Sequence, residues 1–192
     1  MNDQLFSRTI IKYLNRTQEL QSKLEISEIQ TLVNLINLAR TQKRNVFLAG
    51  NGGSATTASH FAVDLGTGTL KAGSEPVKAL SLSENLGIIT AISNDINFDS
   101  IYEKQIEVFG IPGDLLILFS ASGNSRNLIN AFYAATKLNL NIFSITGFDG
   151  GKLRELTKGF NIHVRSEIGE YGLVEDAHLS ICHMITECIR AL

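Results

Sequence analysis

The chain has 192 residues, 44% hydrophobic and 19% charged, with 17 basic against 19 acidic side chains for a net charge of −2. That composition supports a sizeable core but gives no global basic field for nucleic acid or an anionic membrane. No apolar stretch reaches the roughly 20 residues needed to span a bilayer. The opening MNDQLFSRTIIKYLN lacks the apolar core and small-residue cleavage site of a signal peptide, so a cytoplasmic location is expected.

The segment before Arg44 has no glycine, and Leu32, Leu35, Ile36 and Leu38 recur at helical spacing. Two helices are predicted, over 3–22 and 27–42. Beyond them, short apolar runs alternate with helical stretches. The predicted strands are 45–50, 77–82, 114–122, 141–147 and 160–165. The predicted helices are 54–66, 84–93, 99–109, 125–138, 151–158 and 173–190. Pro76 and Pro112 each precede a strand, where a turn belongs. This alternation predicts an α/β fold, a doubly wound three-layer sandwich around a five-stranded parallel sheet of flavodoxin-like type. One domain is expected, with N-terminal helices in 1–43 and the sandwich with its closing helix in 44–192. Cys182 and Cys188 fit no CxxC or disulfide framework and are expected to be two buried thiols in a reducing compartment.

Two loops carry the first functional signal. The first strand ends in Gly50-Asn51-Gly52-Gly53-Ser54 and the third in Ser120-Ala121-Ser122-Gly123-Asn124-Ser125, each just before a helix. Glycine lets backbone approach a ligand, and helix-start N–H groups favour an anion. The alternatives are structural: a turn capped by Ser54, and Ser125 acting only as an N-cap. The first loop is neither Walker A nor GxGxxG. Both loops follow strands expected to be adjacent, which points to a phosphate or phospho-sugar. Neither contains Lys or Arg, apart from Arg126 just after the second. That suits a phosphate used as a handle and argues against a kinase, where transfer needs a cationic clamp.

The second signal is a set of histidines and carboxylates. His60 and Asp64 lie one turn apart on the helix that leaves the glycine loop, and Glu175, Asp176, His178 and His183 gather near the C terminus. Imidazole and carboxylate ligate zinc and serve as acid and base. Alternatively, the His–Asp pair is a surface contact, and the acidic residues are ordinary first-turn residues. Residues 175 and 183 on one straight helix lie about 12 Å apart. They share a metal only if the helix starts after Glu175, the segment bends, or different subunits contribute. His163, within a strand, reads as a structural or edge residue.

On GNGGSATTASHF, the SND of 93–95, SASGNS, SITGFDGG and EDAHLSICHMI, the chain resembles the sugar isomerase (SIS) domain family, and within it the phosphoheptose isomerases. The resemblance implies a cytoplasmic homotetramer with sites between subunits. It implies an aldose–ketose isomerase, an intramolecular oxidoreductase, that interconverts sedoheptulose 7-phosphate and D-glycero-D-manno-heptose 7-phosphate, or a closely related sugar phosphate, through an enediol. By the same resemblance Ser120, Ala121, Ser122 and Ser125 bind phosphate, and Asn51, Gly52, Gly53, Ser54, Asn94, Asp95 and Glu175 bind the sugar. His60, Asp64, Glu175 and His183 would hold a divalent zinc, with Asp64 and His183 as the acid–base pair.

The chain departs from the family where Asp64 replaces a usual Glu and Glu175 a usual Gln, and where SEIGEYGLVED lacks a basic residue. The rival readings are a non-catalytic tetrameric relative that binds a replication initiator, and a sugar-phosphate sensor. The sensor reading lacks a segment for a DNA-binding module.

Overall fold

A computed structural model describes residues 3–71 and 75–192. The strands are β1 (Asn45–Ala49), β2 (Lys78–Ser81), β3 (Leu115–Ser120), β4 (Asn141–Thr146) and β5 (Asn161–His163). The helices are α1 (Asp3–Ser22), α2 (Ile26–Thr41), α3 (Gly53–Gly66), α4 (Leu86–Asp95), α5 (Ile101–Phe109), α6 (Arg126–Lys137), α7 (Gly151–Leu156) and α8 (Tyr171–Ala191), with a 3-10 turn at Phe98–Ser100. Every predicted element is present, with shifts of a few residues at its ends.

All strand pairs are parallel, in the order β2-β1-β3-β4-β5. A parallel sheet is covered on both faces, so its strands read as continuous apolar runs. In β3 all six residues are buried. Alternate residues feed two cores. Val46, Leu48, Ile117 and Phe119 pack with Phe61 of α3 and with Val174, Ile181 and Ile185 of α8. Phe47, Leu116 and Leu118 pack on the other face with Ile106 of α5 and Leu128 of α6.

The order places a topological switch between β1 and β3. From β1 the chain crosses to β2 on one side, and from β3 to β4 on the other. The crevice beyond the carboxyl ends of these two strands is where such sheets bind ligands. The glycine and serine loops lie there.

Two regions behave differently from the sandwich. In α1, Leu20 is buried, whereas Leu5, Phe6, Ile10, Ile11 and Leu14 are exposed. On α8, Cys182 is buried and Cys188 exposed, both as free thiols. The expectation of two buried thiols is therefore corrected. Six residues advance a helix by about 240°, which carries Cys188 off the face of Ile181 and Ile185.

Candidate active site

The glycine loop is shaped by two glycines. Gly52, at φ +54°, caps α3 and accepts the Ala55 and Thr56 N–H groups. Ser54 instead sits buried in the first turn, so the capping role considered for it falls to Gly52. At Gly53 a β-carbon would overlap the Glu175 carboxylate, so glycine is what lets α8 approach this loop. Behind the loop, the hydroxyls of Tyr102 and Ser83 both donate to the Gly50 carbonyl.

The serine loop is held from within. Ser120 Oγ accepts the Gly123 N–H at 3.0 Å and Ser122 Oγ the Asn124 N–H at 3.3 Å. Asn124 Oδ1 accepts the Lys152 N–H at 3.0 Å. Ser125 occupies the N-cap of α6, but its hydroxyl makes no capping bond. The two loops are tied by a reciprocal amide pair, in which Asn51 and Asn127 each donate to the other at 2.9 Å. Sequence reasoning missed Asn127. Its signal was an amide in the first turn of an otherwise amphipathic helix.

Between the loops lies a cavity of about 340 Å³, lined by Asn51, Gly52, Gly53, Ser54, Phe119, Ser120, Ala121, Ser122, Ser125, Tyr171 and Glu175. That volume lies within the range of small-ligand sites. The lining contains no Lys, Arg or His, and its charged side chain is the Glu175 carboxylate. Asn94 and Asp95 do not line it. They lie exposed at the end of α4, where Asn94 donates to Asp95 at 2.9 Å.

The histidine cluster forms where α3 and α8 run side by side. His60 Nε2 and His183 Nε2 are 3.0 Å apart, and Asp64 Oδ2 is 3.3 Å from the first and 3.8 Å from the second. These three ligand atoms all lie within 4.8 Å of one another. The His60 and His183 side chains are 48% and 53% exposed, and Asp64 22%. Imidazole nitrogens and a carboxylate oxygen converging on one point match the donor set of a catalytic zinc, which keeps an open position. The residues fit a divalent cation.

Glu175 is not part of that group. α8 is unbroken from Tyr171 to Ala191, so Glu175 and His183 are separated by about 12 Å of helix. Within one chain the carboxylate lines the cavity, and of the three ways for it to share a metal with His183 the unbroken helix leaves contribution from different subunits. His163, on edge strand β5, lies with Nδ1 3.1 Å from the Thr146 hydroxyl, and burial pulls its pKa down to about 4. His178 is fully buried beside Phe119, and burial lowers it to about 4 as well. The start of α8 is latched to α1. Arg16 donates two bonds of 2.9 Å to Glu170, and the Tyr13 hydroxyl donates to Asp176 at 2.7 Å, which helps to push Tyr13 up to about 12.

Comparison with known proteins adds to this geometry. Residues 10–147 match the family described as SIS domain. The chain is 34% identical over 180 residues to a phosphoheptose isomerase of Alteromonas mediterranea, covering 91% of this chain and 90% of that protein. It is 31% identical over 190 residues to one of Helicobacter pylori, covering 99% and 96%. The fold is similar to that of phosphoheptose isomerase GmhA from Neisseria gonorrhoeae, with a TM-score of 0.87, 26% identity and full coverage of both chains.

Proposed function

The chain belongs to the SIS domain family, and we propose that it is a phosphoheptose isomerase, interconverting sedoheptulose 7-phosphate and D-glycero-D-manno-heptose 7-phosphate or a closely related sugar phosphate. The observation that carries this reading is the layout of α3. Its first residues border the cavity between the loops, and seven residues on, His60 faces His183. That is about 10 Å of helix, the scale of an extended seven-carbon phosphate. The phosphate lies among Ser120, Ser122 and Ser125, and the reacting carbons lie toward Asp64.

The reaction moves a proton between C1 and C2 through a cis-enediol. Asp64 takes the carbon-bound proton and returns it to the neighbouring carbon, while His183 carries the hydroxyl proton. His60, Asp64 and His183 would hold the cation, zinc by donor type. When bound, it polarises the carbonyl and stabilises developing negative charge. Asp64 has a second oxygen for the proton, whereas His183 Nε2 cannot hold a cation and a proton together and serves one role at a time. Asp64 is one methylene shorter than the family's usual Glu, and a base must come within about 3 Å of its proton. Glu175, in its own chain's cavity, accepts sugar hydroxyls. Phosphate held away from the reacting carbons supplies binding energy for positioning.

The assembly we propose is a homotetramer with residues 1–192 as one unit in each subunit. Two features support a self-association surface. One is the exposed apolar row on α1. The other is an apolar groove of about 580 Å³ between α2 and α8, where Ile26, Ile29, Val33 and Met184 adjoin His183. Asn94 and Asp95, exposed in one subunit, are then available to a neighbour's site. A cytoplasmic setting agrees with two free thiols, and among the described residues no helix is long and apolar enough to cross a membrane. The non-catalytic reading is not favoured, because the relatives cited above are named as isomerases and His60, Asp64 and His183 come together.

The test offers sedoheptulose 7-phosphate to zinc-loaded and chelated protein and follows aldose formation by NMR. Zinc-dependent aldose supports the reading. Absence of turnover at any metal loading, with sedoheptulose 7-phosphate and with related ketose phosphates, sinks it.

A further inference from the structure

The cavity between the two loops presents hydroxyls, backbone N–H groups and one carboxylate, and no cation. A phosphate monoester brings about −1.5 to −2 charges at neutral pH. The Glu175 carboxylate, which also lines the cavity, opposes it. Arg16, Lys152 and Arg126 each lie next to residues that line the cavity or close the serine loop, and the first two have their heads engaged. Arg16 is locked on Glu170 by two bonds of 2.9 Å. Lys152, whose backbone closes the serine loop, has its Nζ on Glu155 at 3.0 Å.

The third, Arg126, follows Ser125 directly and opens α6. Its side chain is 79% exposed, and its ion pair is with Asp99, Nη1 to Oδ2, at 3.9 Å. That distance is too long for a hydrogen bond, and an exposed pair of this kind is worth little. Asp99 itself is 45% exposed, and its main chain is pinned, because its carbonyl accepts the Asn130 amide at 3.0 Å. The guanidinium is therefore held weakly by its partner.

We propose that Arg126 is a mobile clamp for the phosphate monoester, resting on Asp99 and swinging onto the phosphoryl oxygens when the serine loop is filled. The inference rests on the isomerase reading for its natural ligand, because that reading puts phosphate among Ser120, Ser122 and Ser125. A guanidinium is the suitable head, since its planar fork meets two phosphoryl oxygens at once. The resting ion pair keeps a positive charge beside the empty loop without filling it. Arg126 thus adds binding energy remote from the reacting carbons and leaves the chemical step to other groups.

The experiment titrates wild type, Arg126→Ala, Arg126→Lys and Asp99→Asn with inorganic phosphate by phosphorus NMR and with sedoheptulose 7-phosphate by calorimetry. Steady-state kinetics follow at two ionic strengths. Arg126→Ala is expected to weaken both ligands about tenfold, or about 1.4 kcal/mol, and to raise KM with kcat nearly constant and a flatter salt dependence. Arg126→Lys recovers part of the loss. Asp99→Asn binds about two- to threefold more tightly, because a weak competing pair is gone.

Binding by Arg126→Ala equal to wild type overturns the clamp. Asp99→Asn as weak as Arg126→Ala also overturns it, since the pair would then act as a fixed structural unit. Wild type that binds no phosphate overturns it too. Arg126-dependent phosphate binding without sugar turnover leaves the clamp standing and removes the isomerase reading. Turnover untouched by Arg126→Ala does the reverse.

Discussion

Around the serine loop several polar groups already have a partner in their own chain, whereas both histidines of the His60–Asp64–His183 cluster are about half exposed. Asn51 and Asn127 lock the two loops by paired amide bonds, and Ser120 and Ser122 each accept a backbone N–H. The cluster has mutual contacts across α3 and α8, side chains about half exposed at both histidines, and an apolar groove beside it. The difference separates two jobs. On the proposed reading, one chain would finish the cradle for an anion, while the reactive end would stay open for a cation, a substrate and a second subunit.

The sharpest way to break that division is at the cluster. His183→Ala is expected to lower turnover by about 10²- to 10⁴-fold, the usual worth of a positioned acid–base group. Phosphate binding should stay within about twofold of wild type, because the cradle is complete without His183. Metal content measured by atomic emission should fall in parallel. If phosphate binding collapses with turnover, the two halves are one coupled unit and the comparison fails.

Next in size is the open face. Ile10→Asp places a charge in the exposed apolar row of α1. If that row is covered by another subunit, dissociation follows, read by light scattering, and specific activity falls about tenfold or more on dilution. An unchanged mass and activity would show that α1 is simply solvated and that the cluster needs no neighbour.

The cradle should respond differently. Asn127→Ala leaves the Asn51 amide without its partner, and a stranded polar group of this kind costs about 1–3 kcal/mol. The expected readout is a lower denaturant midpoint and a raised KM, with metal content intact. A loss of metal instead would mean that the amide pair supports α3 as a whole.

These contrasts also mark what is legible in the sequence. The five strands were legible because a sheet buried on both faces writes unbroken apolar runs, and α3 and α6 because each follows a glycine- or serine-rich loop. Residue types at the cradle were legible for the same reason, since Ser120, Ser122 and Ser125 sit in one short turn. The Asn51–Asn127 pair was not, because it joins positions 76 residues apart whose meeting depends on β1 and β3 being neighbours. The wall that Glu175 occupies in its own chain was not legible either, because its side of α8 depends on packing against Gly53, which no local pattern encodes. Asn94 and Asp95 lie at the end of α4 away from the cavity, a fact that only the crossover to α5 determines.

The smallest expected effect tests the floor under the cradle. His178 is fully buried beside Phe119, which lines the cavity, and burial lowers its pKa from the ordinary 6.5 to about 4. Between those values the unfolded chain binds a proton that the folded one refuses, so stability rises with pH there and falls on acidification. From pH 7 to 6 the loss is on the order of 0.5–1 kcal/mol, growing toward about 1.4 kcal/mol per unit as pH falls further. His178→Phe removes that proton and should flatten the slope by the same amount, measured as denaturant midpoint against pH. His163 is lowered to about 4 for the same cause, so a residual slope should survive and vanish only in the double variant. A wild-type slope retained in His178→Phe would show that burial of His178 is not the source of the acid sensitivity.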